Sequence, residues 1–190
     1  MLAYVFWHLA LADVSAKEYE TALLSFQADL ANAPPSGFAS CTTYRISEIP
    51  WLDRRQGYED WYFVHSSAAL DTLNEAAVKP KRWDVHAGIA TKMETGRGGL
   101  YQHLHGEEQP RGGERVAWLT RPRGIRYDRP LQEIINGSTG SLSCWRRQMV
   151  LGPGDEFVVI GTSRLALSVP QGWQTRTVER TILAPADALT

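Results

Sequence analysis

The residues best suited to moving protons crowd one end of this sequence. All five histidines (His8, His65, His86, His103 and His105) fall within the first 105 of its 190 residues. Imidazole titrates near neutral pH, and burial or a carboxylate neighbour tunes it toward acid or base work. Four of the five sit in aromatic runs: Tyr4-Val5-Phe6-Trp7-His8, Trp61-Tyr62-Phe63-Val64-His65 and Tyr101-Gln102-His103-Leu104-His105. An aromatic surface broken by a few convergent polar groups is what a small-molecule pocket requires. Taken singly, His65, His103 and His105 read more simply as exposed or satisfied core residues. The clustering is what points to a site.

Other groups offer alternatives. His103-x-His105 has the strand spacing of two metal ligands, although no Cys or acidic partner stands at a diagnostic distance. Gly96-Arg97-Gly98-Gly99 reads first as a flexible turn. Its glycines would also let backbone donors approach an anion paired with Arg97, or form a mobile pocket edge. Cys41 and Cys144 are too few for a disulfide framework and read as small buried strand residues before catalytic nucleophiles. Glu59 and Asp60 cannot be paired as catalytic carboxylates by adjacency, because strand neighbours point apart.

With 43% hydrophobic and 22% charged residues, the chain suits one large globular domain or two small fused ones. A formal net charge of −1 argues against holding nucleic acid through many phosphates. The arginine series Arg121, Arg123, Arg126 and Arg129 is offset by Glu107, Glu108 and Glu114, a solvated-surface pattern. No apolar run approaches the roughly 20 residues of a membrane span. Met1 to Ala12 is apolar without a basic leader, so no signal peptide is expected and a reducing cytoplasm is the default.

The elements follow from pattern. Ala3–Leu11 is a strand by aromatic and β-branched content. Ser15 and Glu18 form a capping box, after which Tyr19, Leu23, Phe26 and Leu30 recur at helical spacing until Pro34 and Pro35. Strands are expected at Phe38–Ile49, Glu59–His65 and Gly99–His105. Between the last two lie a helix capped by Ser67 and a short one around Val85 and Ile89. This β-α-β-β-α-β order is the ferredoxin-like unit. It recurs in reduced form: strand Arg115–Thr120, a helix capped by Asp128 and ended near Gly137, strands Ser141–Leu151 and Glu156–Gly161, a turn over Ser163–Val169 and strand Trp173–Leu183. Ser36-Gly37-Phe38-Ala39-Ser40-Cys41 parallels Thr139-Gly140-Ser141-Leu142-Ser143-Cys144. Glu59–Val64 parallels Asp155–Ile160, and Ser66-Ser67 matches Thr162-Ser163.

A duplicated β-α-β-β-α-β order resembles the dimeric α+β barrel superfamily, as a tandem member in which one chain supplies both sheets. The resemblance implies an α+β fold of two ferredoxin-like halves, residues 1–106 and 107–190, with antiparallel sheets packed face to face. Superfamily members include cofactor-free monooxygenases of aromatic polyketides, muconolactone isomerases and haem proteins.

Strand alternation then suggests which face carries chemistry. If the helix-covered face is purely apolar, Val5, Leu9, Val64, Leu100 and Leu104 lie beneath the helices. Tyr4, Phe6, His8, Trp61, Phe63, His65, Tyr101, His103 and His105 would then look into the barrel. The expectation is an aromatic-lined barrel cavity binding a small apolar or aromatic ligand. His65 or His103 would be the acid/base, Trp61 and Tyr101 walls, and Arg97 an anion anchor. The activity expected is cofactor-free oxidation or isomerisation, with non-catalytic binding, or haem or a divalent metal on the histidines, as the alternatives. A fused barrel has no need to dimerise, although a homodimer through sheet edges stays open.

Overall fold

A computed structural model describes residues 1–80, 82–109, 115–126, 128–137, 142–161 and 167–185. In chain order they form β1 (Leu2–Ala10), α1 (Ala16–Asn32), β2 (Phe38–Ile49), β3 (Arg55–Val64), α2 (Ala68–Ala77), α3 (Trp83–Ala90), β4 (Met93–Gly106), β5 (Arg115–Thr120), α4 (Asp128–Gly137), β6 (Leu142–Arg147), β7 (Phe157–Gly161) and β8 (Gln174–Pro185). The eight strands close into one barrel in the order β1-β3-β2-β8-β5-β7-β6-β4, and every pairing is antiparallel. Closure pairs both edges of each of these strands. The first four strands lie as β4-β1-β3-β2 and the last four as β8-β5-β7-β6, the same sequence of positions.

Local signals account for most boundaries. Ser15 is extended and its hydroxyl accepts from the Glu18 backbone N–H at 3.2 Å. The Glu18 carboxylate pairs with Lys92 at 3.1 Å instead of closing the box. Ser67 makes no capping hydrogen bond. The Asp128 side chain, Ser141 and 162–166, most of the expected turn, lie outside the described residues. β4 starts at Met93, so Gly96-Arg97-Gly98-Gly99 is strand, not turn. β3 runs from Arg55 to Val64, which leaves His65 in the following loop.

Register corrects the expected faces. Val5 pairs with both Trp61 and Gly99, and Tyr4 with Tyr62 and Leu100. Val5, Trp7 and Leu9 therefore share the lumen with Trp61, Phe63 and Tyr101, while Tyr4, Phe6 and His8 face the helices with Tyr62 and Val64. The expected face of β1 is thus reversed. Trp61, Phe63 and Tyr101 do face the lumen, whereas Leu104, expected beneath the helices, and His105, expected in the lumen, are exposed beyond the register shift in β4. Trp61 points into the lumen and Phe157 away from it, so the matched runs Glu59–Val64 and Asp155–Ile160 are out of step by one residue.

The lumen is solid. Trp7, Trp61, Trp118, Trp145, Tyr44, Tyr101 and Phe63 are at most 2% exposed, and a barrel of eight strands is just wide enough for side chains to fill. Glu59 sits among them, accepting from the Trp7 indole at 2.8 Å, the Trp61 indole at 2.7 Å and Arg180 at 2.6 Å. Both charges are fully buried, and the Arg180 guanidinium also lies 3.7 Å from the centre of the Tyr44 ring. This pair ties β3 to β8 through groups whose charge is tolerable only while matched.

Candidate functional site

Space for a ligand lies outside the barrel, between the β4-β1-β3-β2 surface and α1, α2 and α3. The cavity measures about 460 Å³. Its floor is Tyr4, Phe6, His8, Asp60 and Tyr62; α1 roofs it with Tyr19, Leu23, Phe26 and Leu30. Asp71 and Asn74 of α2 and His86 of α3 stand at its rim, exposed or half-buried. None of the lining residues is Lys or Arg.

One hydrogen-bonded chain crosses the floor. His8 Nδ1 lies 2.6 Å from the Tyr19 hydroxyl and Nε2 3.2 Å from Asp60 Oδ2. The same Asp60 oxygen accepts from the Tyr62 hydroxyl at 3.0 Å. Oδ1 accepts from the Thr43 hydroxyl at 2.7 Å and from the Gln27 amide at 3.3 Å. As a carboxylate Asp60 only accepts, so Nε2 carries the imidazole proton and Nδ1 receives the Tyr19 O–H. His8 and Asp60 are each 1% exposed. The His8 ring is stacked between Phe6 and Tyr58, with centroids 5.1 and 5.6 Å away, which fixes its plane.

Burial, reinforced by the Asp60 charge, raises the pKa of Tyr4, Tyr19 and Tyr62, and Tyr58 is pushed up to about 12, chiefly by burial. These phenols stay protonated at neutral pH and serve as hydrogen-bond donors. The arrangement has the logic of a base oriented by a buried acid: the carboxylate holds the imidazole tautomer and stabilises the imidazolium formed on proton uptake. Proton transfer through the Tyr19 oxygen would reach His8 without exposing the imidazole to water.

The expected site residues divide. Tyr4, Phe6 and His8 meet at the cavity, but from the helix side. Trp61, Phe63 and Tyr101 are lumen packing, and Arg97 is exposed and does not line the cavity. His65 and His105 are exposed. His103 packs edge-on against Trp145 at 4.9 Å, and burial lowers its pKa. A register shift separates His103 from His105 in the pairing with β6, which breaks the shared face that a two-histidine metal site needs. Among the described residues no group of three or more His, Cys, Asp or Glu is arranged to hold a metal ion. Haem, raised by the superfamily resemblance, does not suit the cavity. Both His8 nitrogens are already bonded, which leaves His86 at the rim as the one other lining imidazole, and no lining Lys or Arg meets the propionates.

Tyr19, Asp60, Tyr62, Thr43 and Gln27 were missed. The signals were a tyrosine in the apolar stripe of α1 and two acids inside the aromatic run Tyr58–Val64. Adjacency did say that Glu59 and Asp60 point apart: one lies in the lumen, the other in the cavity.

Fold and site together define an α+β barrel with an aromatic cavity beneath the helices of its first four strands. No protein family matches the sequence, and no curated protein does. Solved structures share the fold, two of them over most of both chains. One is an anthrone oxidase-like protein at 11% identity, covering 95% of this chain and 91% of its own, with a TM-score of 0.50. The other is a chlorite dismutase-like protein at 12% identity, covering 95% and 94%, with a TM-score of 0.53.

Proposed function

We propose that the chain binds a neutral aromatic or polyketide-like compound in the cavity beneath its helices and removes a proton from it. The observation that carries this is the Tyr19–His8–Asp60 chain on the floor of an aromatic-walled space. A substrate hydroxyl or acidic methylene hydrogen-bonded to the Tyr19 oxygen gives up its proton there, while the Tyr19 proton passes to His8 Nδ1. The products are a substrate anion and an imidazolium paired with Asp60. Return of the proton at another carbon is isomerisation. With dioxygen as co-substrate, a methylene between aromatic rings becomes a carbonyl and water is released; the anthrone oxidase-like neighbour makes this the oxidation to try first. Neither reaction draws on a cofactor.

The lining supports a neutral ligand, because Asp60 and Asp71 would repel an anion and no lining cation would hold it. The strand order repeated in β1–β4 and β5–β8 supports reading the chain as two ferredoxin-like halves, 1–106 and 107–190. If Cys41 and Cys144 are equivalent, their partners Tyr62 and Val159 match and Asp60 corresponds to Phe157. The second half would then keep an apolar core where the first keeps the relay.

A non-catalytic binding protein using the same cavity is the second reading, favoured by the fact that both His8 nitrogens are satisfied within the protein. Tyr19→Phe and His8→Gln separate the two. Incubated with anthrone under air, an enzyme loses turnover in both variants while retaining affinity. A wild-type protein that binds anthrone yet neither oxidises it nor exchanges its methylene protons with D2O leaves the binding reading.

A further inference from the structure

Gly96 and Gly98 lie inside a 14-residue strand, where glycine forfeits packing and costs backbone entropy. Their surroundings give a reason for them. β1 pairs with β4 so that Tyr4 stands opposite Leu100 and Phe6 opposite Gly98; the Tyr4 ring leans along the strand onto Gly98 and the Phe6 ring onto Gly96. A Cβ at Gly98 would lie 2.3 Å from the Tyr4 hydroxyl oxygen and 2.5 Å from its ring. One at Gly96 would lie 2.3 Å from Phe6 Cζ. Carbon contacts settle near about 3.5–4.0 Å, so either methyl group must lift a ring by roughly 1 Å. Tyr4 and Phe6 are floor residues, and the cavity is the side on which they meet a void.

We infer that Gly96 and Gly98 set the depth of the cavity floor and hence the size of ring system it accepts. This rests on the reading of the cavity as a ligand site and adds a specificity determinant to it. The two positions act differently. Tyr4 meets Phe6 and Tyr62 through ring contacts at 6.2 Å, one step further from the imidazole than Phe6, so Gly98 acts first on size. Phe6 stacks on His8 at 5.1 Å, so a side chain at 96 also disturbs the base.

The test uses two neutral fluorescent phenols, 2-naphthol with two rings and 1-hydroxypyrene with four, titrated into wild type, Gly98→Ala, Gly96→Ala, Tyr4→Ala and Tyr4→Ala/Gly98→Ala. Gly98→Ala is expected to weaken 1-hydroxypyrene by about tenfold while 2-naphthol changes by less than about twofold. With the Tyr4 ring removed, adding Gly98→Ala should change neither. Equal effects on both probes, or no effect on either, overturns the inference. If wild type binds neither phenol, the ligand-site reading itself fails. If Gly98→Ala does not fold, the double variant decides: recovery of folding supports a clash with Tyr4, and continued misfolding refutes it.

Discussion

Replacing Asp60 by Asn removes one charge and turns one acceptor oxygen into a donor. Asp60 Oδ2 accepts from His8 Nε2 at 3.2 Å and from Tyr62 at 3.0 Å, while Oδ1 accepts from Thr43 at 2.7 Å and Gln27 at 3.3 Å. If the Asn oxygen keeps Thr43 and Gln27, its amide faces His8 Nε2, and two donors meet unless His8 changes tautomer. The proton then moves to Nδ1, where it donates to Tyr19, and the lone pair that takes up substrate protons is gone. Loss of the correct tautomer, together with the anion that stabilises imidazolium, costs about ten-thousandfold in turnover, or about 5.5 kcal/mol in the barrier. Folding stability falls less, by about 1–3 kcal/mol, the cost of one mismatched buried hydrogen bond. The assay has two arms. Nitrogen-15 NMR of His8 reports which ring nitrogen is protonated, and deuterium exchange into anthrone reports turnover. An Asp60→Asn protein with an unchanged tautomer, or with exchange within about tenfold of wild type, would mean that Asp60 does not set the His8 tautomer for proton transfer.

Arg180→Met leaves Glu59 buried with two indole donors and no cation, and should cost about 3–5 kcal/mol in urea unfolding. Because Glu59 would then resist ionisation in the fold, the deficit should shrink as pH falls, and Glu59→Gln/Arg180→Met should recover much of it. A loss below about 1 kcal/mol would mean that the pair is dispensable. A carboxylated probe, 2-naphthoic acid, should bind at least about tenfold more weakly than 2-naphthol at neutral pH, since the lining has carboxylates and no cation; equal affinity contradicts that picture. Burial pushes the Cys144 thiol up to about 12. With the folded value above the unfolded one, its contribution is full below the ordinary thiol range and is lost as pH rises, by about 3 kcal/mol near pH 11. A flat urea midpoint between about pH 8 and 11 would count against this.

Much of the architecture could be read from pattern because each element carries its own signal. The capping serine, the α1 stripe and the alternating strands gave the element order, from which the barrel follows. The reversed face of β1 has a specific cause. Tyr4, Phe6 and His8 on one side and Val5, Trp7 and Leu9 on the other are both good candidates for burial, so alternation alone could not choose. The assumption that helices cover only apolar side chains chose wrongly, because the helices roof a polar relay. β3 hides both of its acids, and only cross-strand register reveals that Glu59 meets Arg180, 121 residues away, and that Asp60 meets His8. The glycines at 96–99 looked like a turn because their partners, the rings of β1, are about 90 residues distant in sequence.

On the proposed function a ligand enters beneath the helices and not the barrel. Methyl-labelled protein titrated with 2-naphthol tests it most directly, since Leu23, Leu73 and Ile89 border the cavity and Val116, Val158 and Ile160 lie in the lumen. Saturable shifts confined to the first group are predicted. Shifts in the lumen group, or in neither, would contradict the account.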